Sequence, residues 1–343
     1  MEWTRIGNPN SNNLAISSLI TGERHHFHYV PRRSSLVNQN WHNRSSRVTP
    51  YRDWLEIWKQ SGDLYQDLHG GIITEFPQLA VAVGLRKRLA REPIPVVASS
   101  FNLGRCYPGL KQWLSQTTLR NINRFVVYSH RERETYSKWL SLPLERFDFI
   151  PLAGPEIPLN YSEEKDKPFI LAMGSANRDY STFFKAVGKL HIRTIVVVAK
   201  HAIRGLTIPA KVEIMSNVTI DECRRLAQEA ILNIIPLIDN ETAAGQRTVI
   251  DAMRMGRAVI ATKCAGTEDY IQDGKTGILV KPNSCEALVE SIELLFNNTD
   301  LRFSLGKEAR VYATKNFSFE AKIKAFTKIL DRVEDEFFGN NNY

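Results

Sequence analysis

Along most of this chain, short runs rich in Ile, Val and Phe alternate with longer stretches whose apolar residues recur at helical spacing. In the first part the runs fall at 71–76, 94–99 and 125–128, and helix-like patterns follow over 78–89, 109–123 and 131–140. A further amphipathic helix is expected over 51–68, and the run 147–152 closes the series. Buried strands separated by helices of this length argue for βαβ units on a parallel sheet, because a parallel pair needs a long crossover and both faces then need cover. The second part repeats the rhythm, with strands expected at 169–173, 194–198, 212–215, 232–235, 258–261 and 277–280. Its helices are expected at 181–190, 220–230, 248–255, 285–296 and 300–316, and a long last one from 319 to about 337. Two stretches break the rhythm: 31–50 is basic, polar and poorly patterned and reads as a mobile loop, and 154–167 reads as a hinge. At 343 residues the chain exceeds one ordinary core. The pattern divides it into two α/β domains, 1–153 and 168–317, with 318–343 as a terminal helix.

One segment joins a polar glycine turn, a short helix, a glycine stop and a buried strand: Glu241-Thr-Ala-Ala-Gly-Gln-Arg-Thr-Val-Ile-Asp-Ala-Met-Arg-Met-Gly256, running into 257–262. Gly245 frees the turn, Val249, Ile250 and Met253 share one helix side, and Gly256 ends the helix. The first N–H groups of such a helix lack partners within it and carry the positive end of its dipole, which makes a seat for phosphate. Asp251, on the turns that follow, is placed to accept hydrogen bonds from a ribose. Taken alone, the segment barely differs from a plain loop–helix–strand unit.

Composition narrows the class without choosing a chemistry. The hydrophobic share of 43% and charged share of 24% are those of a soluble globular protein. No apolar run approaches the ~20 residues that span a bilayer. Residues 1–13 are polar where a signal peptide needs an apolar stretch, so a cytoplasmic protein is expected. Cys106, Cys223, Cys264 and Cys285 show no CxxC or Cys/His spacing, and no D-x-D triplet occurs. Neither a disulfide framework nor a metal site is therefore expected.

Charge changes the picture more. Of 45 Lys+Arg and 37 Asp+Glu, residues 1–153 hold 20 and 12, which leaves 25 of each for the remainder. All six tryptophans (Trp3, Trp41, Trp54, Trp58, Trp113 and Trp139) fall in that basic part. Such a half suits peripheral contact with an anionic membrane surface, on its inner face, or an acidic or lipid-phosphate acceptor. A solvated basic face with core tryptophans is the plainer reading and the preferred one. No stacking motif or basic recognition helix stands out, so nucleic acid is not expected as a partner.

Three stretches in order carry a wider likeness: Phe169-Ile-Leu-Ala-Met-Gly174 followed by Ser175-Ala-Asn-Arg-Asp-Tyr180, the segment 239–262, and Gly266-Thr-Glu-Asp-Tyr-Ile-Gln-Asp-Gly-Lys-Thr-Gly-Ile-Leu-Val-Lys-Pro282. Together they resemble the nucleotide-sugar-binding half of retaining glycosyltransferases of family 4. The resemblance implies a GT-B fold, with two Rossmann-like α/β domains facing each other across a cleft and a last helix crossing back to the first. It implies a nucleoside-diphosphate sugar as donor, a hydroxyl acceptor on the first domain, and transfer of a hexosyl group with retention, in glycan or glycolipid synthesis. No metal or other cofactor is implied.

Residue by residue, the resemblance places Gly174, Ser175 and Arg178 at the first turn of the donor domain, with Arg178 as a phosphate ligand. Lys200, ending the run 195–200, becomes a second cation at a strand end facing the crevice. Gly245, Gln246, Arg247 and Thr248 hold the diphosphate and the sugar, Asp251 the ribose, and Asn217 lies in the loop that meets the base. Without the resemblance, Arg178 and Lys200 read as surface cations at strand ends.

The chain also departs from the family pattern. Members commonly carry two glutamates separated by seven residues; Asp251 stands at the second and Ala243 at the first. Nine residues separate Glu241 from Asp251, so its geometry differs. Either Gln246 or Glu241 substitutes, or the sugar differs, or transfer is impaired and the chain is a sugar- or partner-binding module. Residues 1–7 are weakly strand-like without a Gly-Gly loop, 99–102 lacks the usual histidine, and His25, His26 and His28 read as structural.

Overall fold

The computed structural model describes residues 1–7, 24–33, 49–239 and 241–339. Most of the loop expected at 31–50, and Trp41, lie outside them. Contacts divide the described residues into two compact units, one holding those up to Pro151 together with those from Phe319 onward, the other Leu152–Ser318.

The first unit runs β1 (Glu2–Ile6), β2 (His26–Val30), α1 (Tyr51–Gln66), β3 (Gly71–Thr74), α2 (Pro77–Ala90), β4 (Val96–Ala98), α3 (Leu110–Leu119), β5 (Arg124–Val127), α4 (His130–Leu140) and β6 (Phe147–Phe149). Its strands form one parallel sheet in the order β2-β1-β3-β4-β5-β6. Side chains alternate across the pleat, as strand geometry requires. Ile72, Val96, Phe125 and Val127 pack on one face with Ile57, Leu79, Val83, Leu119 and Tyr136. Trp3, Ile73, Val97 and Val126 pack on the other. The last helix of the chain covers that second face through Ile323, Phe326, Leu330 and Val333. The amino-terminal run, weak as a pattern, is a fully paired strand between β2 and β3.

The second unit runs β7 (Ile170–Met173), α5 (Tyr180–Leu190), β8 (Thr194–Val197), β9 (Val212–Met215), α6 (Ile220–Glu229), β10 (Leu232–Ile235), α7 (Gln246–Arg254), β11 (Val259–Thr262), β12 (Ile278–Val280), α8 (Cys285–Asn297) and α9 (Thr299–Asn316); α10 (Phe319–Gly339) belongs to the first unit. Its strands are also all parallel, in the order β12-β11-β10-β7-β8-β9. Residues of α5 and α8 cover one face, while residues of α6, α7 and α9 cover the other. The chain leaves β7 in one direction through β8 and β9, then returns to β7's other side as β10. That reversal is the topological switch point, where open α/β sheets hold ligands beyond the strands' carboxyl ends.

The stretch read as a hinge is strapped to the second unit. Gly154 N–H donates to Phe317 O, and Arg254 donates to Pro155 O. The Gln228 amide oxygen accepts from Asn160 and Tyr161, and half-buried Glu163 pairs with Arg302 and Arg257. Among the described residues no helix is long and apolar enough to cross a membrane.

Candidate functional site

Two loops meet at the switch point of the second unit. The loop after β7 runs through Gly174–Asp179, and the loop after β10 runs through Pro236 to Gly245. Backbone bonds lock them together: Asp179 N–H donates to Pro236 O (3.0 Å) and Ile238 N–H to Asn177 O (3.1 Å). Asp179 also caps α5 by accepting from Thr182 N–H. The turn that carries Arg178 is thus fixed before any ligand arrives.

Arg178 folds back over Gly174 and donates in three directions: Nε to Met173 O (3.0 Å), Nη1 to Ala176 O (2.9 Å) and Nη2 to Thr248 Oγ1 (3.1 Å). All three acceptors are neutral, and among the described residues no carboxylate pairs with this guanidinium. Burial pulls its pKa below the ordinary arginine value. The residue is half-buried, so its charge is partly taken out of water without a counter-charge. Such a cation favours an anion arriving beside it.

The turn expected to seat an anion lies at the same place. Gly245, at φ +81°, is the N-cap of α7 and offers no side-chain cap. A side chain there would meet Leu237 at 2.8 Å, so the turn needs glycine twice over. Val249 N–H is the first to bond back into the helix, to Gly245 O. Among the described residues nothing accepts from the N–H groups of Gln246, Arg247 and Thr248. Three free donors at a dipole's positive end therefore stand beside the Arg178 guanidinium.

Asp251 sits one turn further along. Its Oδ2 accepts from Arg247 Nε (2.9 Å), while Oδ1 is buried with no partner among the described residues. Burial raises its pKa, against the lowering effect of Arg247. An orphaned carboxylate oxygen is an open acceptor for a hydroxyl. Gln246, 7% exposed, holds a side-chain amide with no hydrogen bond among the described residues, whereas Arg247 is exposed.

The remaining expected positions are scattered around this centre. Lys200 does not end a strand: β8 stops at Val197, and Lys200 opens a one-turn 3-10 helix, Lys200–Ile203, with its side chain exposed. Ser175 Oγ accepts from Ala199 N–H at 2.9 Å, which ties that loop to the first turn. Asn217 is exposed after β9 in the left-handed conformation, at φ 59°. Glu241 is exposed and Ala243 is 6% exposed, so the carboxylate at 241 and the position at 243 do not share surroundings. Of the histidines, His25 Nδ1 accepts from Trp3 Nε1 and its Nε2 meets Asp331. With Asp331 and Glu334 it forms the one metal-type grouping among the described residues, but Arg24 already engages both acids.

Pattern reading missed the residues behind the phosphate turn. A Cβ on Gly266 would stand 1.8 Å from Ala244 O, so the loop after β11 lies directly against the backbone that leads into Gly245. Thr262 Oγ1 accepts from Leu237 N–H (2.9 Å), and Thr267 Oγ1 donates to Thr262 O. No periodicity signals these contacts; a glycine just after a buried strand is the sole local hint.

Residues 167–298 match the family model described as Glycosyl transferases group 1. The match covers well under half of the chain and lies wholly within the second unit. One uncharacterized glycosyltransferase of Methanocaldococcus jannaschii is 33% identical over 86 residues, which is 25% of this chain and 22% of that protein. A second from the same organism is 25% identical over 162 residues, 47% of this chain and 43% of that protein. The chain thus spans less than half the length of these curated relatives.

Solved structures share the fold over nearly the whole chain. A glycosyltransferase from Rickettsia africae is 16% identical with a TM-score of 0.70, covering 97% of this chain and 98% of that one. A sucrose-phosphate synthase from Thermosynechococcus elongatus is 14% identical with a TM-score of 0.71, covering 98% and 100%. Anabaena HepE, crystallised with UDP and glucose, is 13% identical with a TM-score of 0.68, covering 97% and 100%. At these identities the likeness establishes the fold, an α/β architecture of GT-B type. Arg178 and the start of α7 both fall inside the residues matched by the family model.

Proposed function

We propose that this protein is a glycosyltransferase that moves a hexosyl group from a nucleoside-diphosphate sugar to an acceptor hydroxyl, with retention of configuration. The observation that carries this reading is Arg178, half-buried without a counter-ion and bonded to Thr248 where α7 presents three free N–H groups. As the bond from the sugar's anomeric carbon to the diphosphate breaks, negative charge grows on the departing oxygens. Fixed donors aimed at that charge lower the barrier, because they need no reorganisation when it appears. Lys200 supplies a mobile second cation, Asp251 Oδ1 takes a ribose hydroxyl, and Asn217 meets the base. Gln246, with Arg247 and Glu241 beyond it, faces the sugar. The attacking hydroxyl gives its proton to a phosphate oxygen of the leaving group, so no protein base is required. The proposed setting is glycan or glycolipid synthesis on the cytoplasmic side of a membrane.

The UDP-bound and UDP-glucose-bound forms of Anabaena HepE make UDP the first nucleotide to try. Thermal unfolding is followed with UDP, GDP and ADP and with their glucose esters. A nucleotide at 100 times its Kd adds about 2.7 kcal/mol, or roughly 5–10 °C in a unit of this size. NMR of the product's anomeric proton then reads the stereochemistry. A protein that no nucleoside diphosphate stabilises would refute the proposal. A second reading, a nucleotide-sugar-binding module without transfer, draws on buried Ala243 in place of a glutamate. Stabilisation by a donor together with no turnover against any acceptor, water included, would select it.

A further inference from the structure

Among the described tryptophans, Trp3 is buried and Trp58 and Trp139 pack partly against the core, but Trp113 is 58% exposed. It has company. Leu110 is 71% exposed and Leu114 is 47% exposed, and with Trp113 they stand at i, i+3 and i+4 on α3, hence on one side of the helix. The inward side is fixed separately. Thr118 and Leu119 are buried, and the Gln112 and Gln116 amides both donate to Trp139 O (2.9 and 2.8 Å). A single exposed leucine needs no explanation, but an apolar stripe with a tryptophan on a packed helix marks an interaction surface.

Along the sequence the charges flanking the stripe are of one sign. From 93 to 131 the sequence has no Asp or Glu, and Arg105, Lys111 and Arg120, on or beside α3, are exposed cations. Arg105 and Lys111 flank the Tyr107 ring at 5.3 and 4.3 Å, immediately before and on the first turn of α3. Apolar residues rimmed by cations suit a bilayer surface: leucine and tryptophan enter the headgroup boundary and the cations meet lipid phosphates. A second copy presenting the same face would set like charges against each other.

We infer that α3 docks the first unit on an anionic membrane, with Leu110, Trp113 and Leu114 inserted and Arg105 and Lys111 on lipid phosphates. Docking gives the acceptor of the proposed transfer a membrane setting but does not depend on transfer. Vesicle binding and nucleotide binding are separate readouts, so either can fail alone.

The test is co-sedimentation of the full chain with vesicles of phosphatidylcholine alone and with 30 mol% phosphatidylglycerol, at low and physiological salt. Binding is expected to the anionic vesicles, weakening with salt, and brominated lipid is expected to quench Trp113 fluorescence. Lys111→Glu changes the charge by two and should weaken binding roughly 25-fold, at about fivefold per unit charge. L110S/W113S should remove binding while unfolding temperature and UDP affinity stay at parental values, since these side chains lie on the surface. Equal binding to neutral and anionic vesicles would overturn the inference. So would full anionic binding by L110S/W113S, or a concentration-dependent dimer that this variant abolishes with no vesicle binding by the parent.

Discussion

Replacing Arg178 by Met keeps the length of the side chain and removes its charge, and the structure separates the two consequences. For stability, three hydrogen bonds are lost, each worth about 1–3 kcal/mol from a charged donor. Their acceptors are not stranded, because Ala176 is exposed and Met173 and Thr248 are half-buried, open to water. Against this loss stands relief of a desolvated charge with no carboxylate beside it. The terms oppose each other, so the ligand-free variant should unfold within roughly 4 °C of the parent, a net change near 1 kcal/mol. For binding, nothing offsets the loss. A guanidinium about 4 Å from a diphosphate charge is worth roughly 4 kcal/mol at an effective dielectric of 20. Half to all of that corresponds to a Kd for UDP raised roughly 30- to 700-fold. Isothermal titration of UDP into both proteins, with thermal unfolding of each alone, reads the two effects. A Kd within threefold of the parent would refute the reasoning. A fall of more than about 10 °C in the ligand-free variant would instead make Arg178 a structural tie between the two loops.

Other perturbations give outcomes of different sign. Asp251 has a folded pKa above its unfolded one, so its charge costs stability at neutral pH, and that cost is lost as pH falls through the raised value. Asp251→Asn should therefore raise the unfolding temperature at pH 7 by a few degrees, about 1 kcal/mol, lose that gain in acid, and weaken UDP binding. Gly266→Ala puts a methyl 1.8 Å from Ala244 O; overpacking of this kind costs ~3 kcal/mol, and a variant that keeps parental stability and UDP affinity would contradict the close approach. Lys87, whose ammonium donates to Asn121 O and Asn123 Oδ1, is pulled down to about 8 by burial and by Arg146. The unfolded chain then holds its proton to higher pH, so stability rises between pH ~8 and the usual lysine value, by roughly 3 kcal/mol. Lys87→Met should abolish that rise in denaturant titrations, and an identical pH dependence in both proteins would count against it.

Both parallel sheets were legible in the sequence because their central strands are buried on two faces and read as apolar runs. What the pattern carried least well depended on distant partners. The run Glu2–Ile6 contains Thr4 and Arg5, which weakens it as a strand. Yet Thr4 Oγ1 donates to Asp67 O and Arg5 pairs with Glu75, so tertiary contacts supply what local propensity lacks. Lys200 continued an apolar run on paper, but the strand ends where Ala199 N–H turns to Ser175 Oγ. The residue types of the turn before α7 were visible, whereas the placement of Arg178 was not. Its third partner, Thr248, lies 70 positions away, and no local pattern reports that distance.

The same geometry bears on the missing glutamate. With Ala243 buried, the polar side chain that opens α7 is the Gln246 amide, which has no hydrogen bond among the described residues. An amide can give and accept a hydrogen bond, so it can orient a sugar hydroxyl, but it brings no negative charge to an anomeric carbon turning cationic. In the proposed reaction, stabilisation must then fall on the departing side, where Arg178 and the three free N–H groups stand. Such an arrangement makes catalysis depend on the diphosphate more than on the sugar. In that reaction nucleotide affinity, far more than the identity of the hexose, would be where the chain's own chemistry is concentrated.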